Sequence, residues 1–152
     1  MTSRFRTLLL SLLALAPGIA LACSTLGPPP TDEELFEKAS TVFVAHITKT
    51  EEVTLSFPLS TAPTPVPGVE GTFRVVEILK GKPPEDAKVQ DLVFGPGNCS
   101  LGLFAGLDYL FFLRGDKWVL WPTGSRAFIN LQGTEPQKII EHLRKLKAPE
   151  GN

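Results

Sequence analysis

Two cysteines, Cys23 and Cys99, are the residues whose type and placement can do chemistry in this 152-residue chain. Cys23 follows Ala20-Leu21-Ala22 at the end of a secretion-type leader: Arg4 and Arg6 form a basic start, Leu8 to Ala16 an apolar core interrupted by Ser11, and Pro17-Gly18 a helix stop before the small-residue cleavage site. Cleavage after Ala22 makes residues 1–22 a signal peptide and Cys23 the first residue of the mature protein. Amine, carbonyl and thiol then share one residue. Export places both thiols where disulfides persist, and two cysteines allow one intramolecular pairing. If formed, that bridge closes a loop of roughly 77 residues and removes on the order of 4.5 kcal/mol of chain entropy from the unfolded state. A second reading of Cys23 stays open, in which its sulfur carries diacylglycerol and the protein is anchored to the envelope. Ala20 and Leu21 stand where a lipobox usually has Leu and a small residue, which favours simple secretion to the periplasm or outside the cell.

The remaining residues offer little for catalysis, and the expectation is a protein that is not an enzyme. His46 and His142 have no neighbour in sequence that would complete a metal pair or a triad, and no Gly-x-Ser-x-Gly, His-Glu-x-x-His or phosphate-cradling glycine motif occurs. No cofactor is expected. Without Arg4 and Arg6 the mature chain keeps 13 basic against 16 acidic side chains, a net charge that argues against nucleic acid as a partner. The aromatic group Tyr109, Phe111, Phe112, Trp118 and Trp121 therefore reads as core rather than as a base-stacking platform. Arg114-Gly115-Asp116 matches an integrin tripeptide but has the composition of a turn. Asn98-Cys99-Ser100 is formally a glycosylation sequon, poorly presented beside a bridged cysteine. No stretch after the leader is apolar for the length a bilayer span needs, so membrane association is expected only if Cys23 is lipidated.

Residues 23–152 are long enough for one domain. Pro28-Pro29-Pro30 gives a stiff, extended start. Thr31 with Glu34 forms a capping box for a short helix ending near Ser40. Strands are expected at Thr41–Thr50, Thr72–Leu79, Val89–Phe94, Tyr109–Leu113 and Lys117–Trp121. Residues 57–68, with Pro58, Pro63, Pro65 and Pro67, read as an exposed proline-rich loop. A final helix, with Thr134 as its cap and Gln137 in the capping-box position, carries Ile139, Ile140, Leu143 and Leu146 on one face. The fold class that follows is mainly β, a five-stranded, partly open barrel with a short N-terminal helix and a C-terminal helix.

Cys23-Ser24-Thr25, Phe36 to Ala45, Phe73 to Gly81, Asn98-Cys99-Ser100-Leu101-Gly102 and Asp108-Tyr109-Leu110-Phe111 together resemble the tissue inhibitors of metalloproteinases, in the netrin-like family. The resemblance implies an OB-fold barrel and a mature N-terminal cysteine bridged to the loop after the third strand, where Cys99 lies. It implies that the α-amine and carbonyl of Cys23 chelate the zinc of a target metalloprotease. It further implies that Ser24, Thr25, Leu26, Asn98, Cys99 and Ser100 form the protease contact. Thr25 stands where the family has a second cysteine, and the partner expected near Gly124 or Ser125 is missing too. The implied molecule is a single-domain, bacterial-type relative that acts as a monomer, with a zinc metalloprotease as partner; the alternative is a lipid-anchored adaptor built on the same barrel.

Overall fold

The computed structural model describes residues 28–56, 65–95 and 99–147. Helix α1 (Asp32–Lys38) precedes strands β1 (Thr41–Ser56), β2 (Pro65–Lys80), β3 (Lys88–Leu92), β4 (Asp108–Leu113) and β5 (Arg126–Phe128), and helix α2 (Thr134–Leu146) closes the order. The strands form one antiparallel sheet, β3-β2-β1-β4-β5. The sheet curls until its far parts meet: Gln90 N–H donates to the Lys117 carbonyl at 2.7 Å, and Val119 N–H donates to the Gln90 carbonyl at 2.9 Å, a parallel bridge. The result is a mainly β, OB-like barrel with a helix near each end of the chain.

β1 is why the sheet has two covered faces. Its alternation sends Phe43, Ala45 and Ile47 into the barrel with Phe73, Val89, Tyr109 and Phe111. Val42 and Val44 go to the opposite face, where Phe36, Leu79, Phe112, Ile140 and Leu143 meet them. A strand buried on both sides loses the polar-out pattern of a half-exposed one, as its branched residues at every position require. Breaks in register between β1 and β2 at Val42/Phe43, Val44/Ala45 and Ile47/Lys49 bend the pair, which is what closing a small barrel demands. Those breaks also reset the alternation of β2. Val75, Val76 and Ile78 are exposed in succession on β2, while Phe73 and Leu79 are buried.

The helices are fastened to the outer face by named contacts. Thr31 accepts from Glu34 N–H and the Glu34 carboxylate accepts from Thr31 N–H, so the capping box is present. Lys80 Nζ donates to the carbonyls of Phe36 and Glu37, at 2.7 and 3.0 Å, and so caps the other end of α1 from β2. Asp32 pairs with Arg126, Glu33 with His142 at 2.7 Å, and Arg144 grips Glu77 through two 2.7 Å bonds.

Several expected boundaries move. β2 begins at Pro65, so Pro65 to Gly68 are strand rather than loop, paired with Val53 to Ser56. β3 pairs with β2 only from Gly68 onward; the prolines fall beyond its reach, where a missing amide on an unpaired edge costs the ladder nothing. Pro58 and Pro63 lie outside the described residues. Lys117–Trp121 is not a full strand: it contributes the closing bridge, then turns into a 3-10 turn at Trp121–Thr123, and the fifth strand is Arg126–Phe128. Pro122 lacks the amide a ladder needs. Thr134 is the first residue of α2 rather than its cap; Gly133 occupies that position, and Gln137 donates to the Leu131 carbonyl.

Gly81 ends β2 at φ +63°, and a Cβ there would lie 2.3 Å from the Ser40 carbonyl oxygen. Strain and collision act together. Gly81→Ala should therefore lower the unfolding free energy of the mature domain by about 2–3 kcal/mol, measured by urea denaturation; a loss below about 0.5 kcal/mol would show that the Ser40 backbone yields.

Candidate functional site

Asp91 is fully buried, 0% exposed, on β3. It sits at the inward parity of the strand, two residues after buried Val89, and a carboxylate at such a position must be satisfied by the protein. Its Oδ1 accepts from Leu92 N–H at 2.8 Å. Its Oδ2 accepts from Gly102 N–H at 2.8 Å and from the Ser100 hydroxyl at 2.9 Å. One buried side chain thereby fixes Ser100 and Gly102 against β3. Burial pushes the Asp91 carboxyl above the usual range, opposed by the bonds from Ser100 and the Gly102 amide.

Tyr109 holds the next stretch of the same loop from inside the barrel. Its hydroxyl donates to the Gly102 carbonyl and accepts from Phe104 N–H, both at 2.9 Å. Burial raises the Tyr109 hydroxyl, so it stays a donor across the neutral range. Gly102 has φ +79°, and a Cβ on it would meet the rings of Phe94 and Phe104, each at 3.1 Å. Those two rings form an edge-on pair with centroids 6.3 Å apart, and they are 70% and 52% exposed.

Cys99 begins this loop. It is not a free thiol, it packs beside Leu55, Trp118 and Leu120, and its carbonyl accepts from Trp121 N–H at 2.9 Å. The two tryptophans part company there. Trp118 is 7% exposed and belongs to the interior, as the aromatic composition suggested; Trp121 is 57% exposed and does not. A strip of surface therefore runs from Trp121 through Cys99 and Ser100 to Phe104 and Phe94, on a backbone tied down at four points. Of the residues expected to make the contact, Cys99 and Ser100 are in this strip; Cys23, Ser24, Thr25, Leu26 and Asn98 lie outside the described residues.

Both histidines pair with acids: His46 Nδ1 lies 2.9 Å from Asp108 Oδ1 across the β1–β4 pair, and His142 ties α2 to α1 through Glu33. Among the described residues no group of three or more His, Cys, Asp or Glu is placed to hold a metal. A cleft of about 500 Å³ is lined by Ser40, Thr41, Lys82, Gln90, Asp116 and Lys117 among others. Four of these side chains are engaged within the protein: Ser40 with the Leu113 carbonyl, Thr41 with the Lys82 carbonyl, Lys117 with Asp86 and Asp116 with Trp118 N–H. Arg114-Gly115-Asp116 is a turn, with Gly115 at φ +100°.

Compared with protein-family models and with the sequences of curated proteins, the chain matches none.

Tyr109 reads from the sequence as core, and Asp91, Phe94 and Phe104 carry no role there. Asp91 did leave a signal, an acid at the buried parity of an apolar strand. Asp91→Asn keeps one acceptor but turns an N–H toward the Gly102 amide, so the domain should lose about 1–3 kcal/mol, read by urea denaturation. The sign with pH follows from the raised carboxyl: the folded state holds the Asp91 proton to higher pH than the unfolded state. Its contribution is therefore fullest at low pH and declines as pH rises through the folded value. Relative to Asp91→Asn, the native protein should lose part of its margin on going from acid to neutral pH; a pH-independent difference would place the carboxyl at its ordinary value.

Proposed function

We propose that this is a secreted, non-enzymatic, protein-binding domain whose contact surface is the end of the barrel around Cys99, and that its activity is inhibition of zinc metalloendopeptidases through the N-terminus at Cys23. The observation that carries the reading is the strip from Trp121 to Phe94. Gly102 and Phe104 in it are held by Asp91 and Tyr109, and Phe94, Phe104 and Trp121 present exposed apolar side chains. Preorganisation of this kind reduces the entropy lost on binding, and exposed aromatics are favoured anchors. Since no described cysteine is free and Cys23 is the one other cysteine in the chain, pairing the two would bring the mature amine to this same strip.

The chemistry would be a five-membered chelate. The amine nitrogen and carbonyl oxygen of Cys23 would take the coordination position that a catalytic zinc keeps open for water. Ser24 and Thr25 would follow along the cleft of the protease, with Leu26 next, and Asn98, Cys99 and Ser100 would supply the adjoining edge. Only the neutral amine can bind, and its ordinary pKa is about 7.7–8.0, so inhibition should strengthen as pH rises from about 6.5 to 8. The lipid-anchored alternative requires the sulfur, and commonly the amine, to be acylated, which would remove both the bridge and the chelate.

Two measurements test the reading. The intact mass of native protein should be two hydrogens below that of the reduced mature chain; added acyl mass supports the anchored alternative instead. Mature protein should inhibit members of a panel of zinc endopeptidases, and one alanine placed before Cys23 should abolish that inhibition. Phe104→Ser should weaken it about tenfold, the scale of one lost apolar anchor. Inhibition that survives the added alanine excludes chelation.

A further inference from the structure

β2 has a strand on only one side along its second half. β1 pairs with it throughout, whereas β3 covers the other edge from Gly68 to Thr72, extended by the Phe73 amide on the Ala87 carbonyl. From Arg74 to Leu79 no backbone bond among the described residues reaches that second edge. Val75, Val76 and Ile78 are exposed there. Branched apolar residues on an open edge are a template for another strand, which proteins ordinarily cover or charge.

The bulge at Val76 gives this edge an unusual pattern of faces. Val75 pairs with Ala45 and Glu77 with Val44, so Val76 is the extra residue. Phe73, Val75 and Ile78 lie opposite Ile47, Ala45 and Phe43, which face the barrel interior. Arg74 and Glu77 lie opposite His46 and Val44, on the face that carries the helices, and Glu77 meets Arg144 of α2 there. Opposite charges three residues apart thus share a face, which a regular strand does not allow. Phe73-Arg74-Val75-Val76-Glu77-Ile78 reads apolar, charged, apolar, apolar, charged, apolar from either end.

We propose that this edge pairs antiparallel with the same edge of a second copy, about a twofold axis between Val75 and Val76. Arg74 then lies opposite the partner's Glu77, Val75 opposite the partner's Val76, and Phe73 opposite the partner's Ile78. An isologous contact must be complementary to itself, and both charged positions meet their opposite sign. Arg74 makes no ion pair among the described residues. Glu77 is held by Arg144 through both oxygens, and each oxygen can accept a second donor. The bulge also selects the occupant: a regular strand from another protein loses the match of faces at Val76, whereas a strand with the same bulge keeps it. A strand pair of this length is a small contact, so the dimer belongs to the weak class and forms at high protein concentration. It replaces the monomer that the resemblance implies, and it depends on neither Cys23 nor protease inhibition.

Sedimentation velocity of the mature protein from about 10 μM to about 1 mM should show a monomer–dimer equilibrium. Across the same range, amide hydrogen exchange should slow at Arg74 to Ile78 and stay constant on β4. Arg74→Glu sets like charges opposite each other twice, and Val76→Lys puts two ammonium groups at the axis; each should weaken the dimer at least about tenfold. Both native side chains are exposed, so an unchanged urea midpoint should accompany each substitution. A protein that stays monomeric throughout overturns the proposal, even if a strand from another protein binds the edge. So does a dimer that either substitution leaves intact, or one in which these amides exchange at the same rate at every concentration.

Discussion

The structure depends on β1 being buried on both faces. A strand that is apolar at every position from Val42 to Ala45 cannot lie at the surface of a two-layer protein; one face must meet a barrel interior and the other a layer of helices. Once β1 is central, β2 and β4 flank it, the register breaks between β1 and β2 bend the sheet, and the bend brings β3 against residues 117–119. The two helices then have one place to go. Their attachments, from Lys80, Arg126 and Arg144, all come to or from strands that β1 positions.

The end of the barrel around Cys99 draws its order from polar groups inside that same framework. Asp91 and Tyr109 are on β3 and β4, and each spends its buried oxygen on the loop from Ser100 to Phe104. Buried polar groups of this kind are costly unless fully satisfied. Among the described residues no buried side-chain polar atom lacks a partner. The cost is therefore met by the loop, and the loop gains a defined shape. Exposed Phe94, Phe104 and Trp121 can then be displayed without collapsing, because the backbone beneath them is already committed.

On the inhibitor reading proposed above, two bridges would be expected at the N-terminus, and this chain has the cysteines for one. Thr25 replaces one missing cysteine, and the place expected for the other is at Gly124 or Ser125. Gly124 borders the cavity beside Trp121, and Ser125 is buried with its hydroxyl accepting from Phe112 N–H.

Much of the fold was legible in local pattern. The capping box at Thr31 and Glu34, the two-sided apolar run of β1, the turn at Gly115 and the amphipathic final helix each depend on neighbours a few residues apart. The candidate site was legible only in part: two cysteines and a cleavage site pointed to Cys23 and Cys99, but nothing nearby in sequence pointed to the residues that shape the surface around them. Trp118 and Trp121, three residues apart and alike in type, end in opposite environments because the chain passes from the closing bridge into a 3-10 turn between them. Val75 and Ile78, three residues apart, share a face because a bulge shifts the parity of β2. Phe94 and Phe104, ten residues apart, meet over Gly102. Sequence alone determined most of the elements, since these rest on short-range periodicity. Which aromatics are displayed, and which carboxylate orders the loop beneath them, was decided by the curvature of the sheet, because bulges and barrel closure are long-range outcomes of packing.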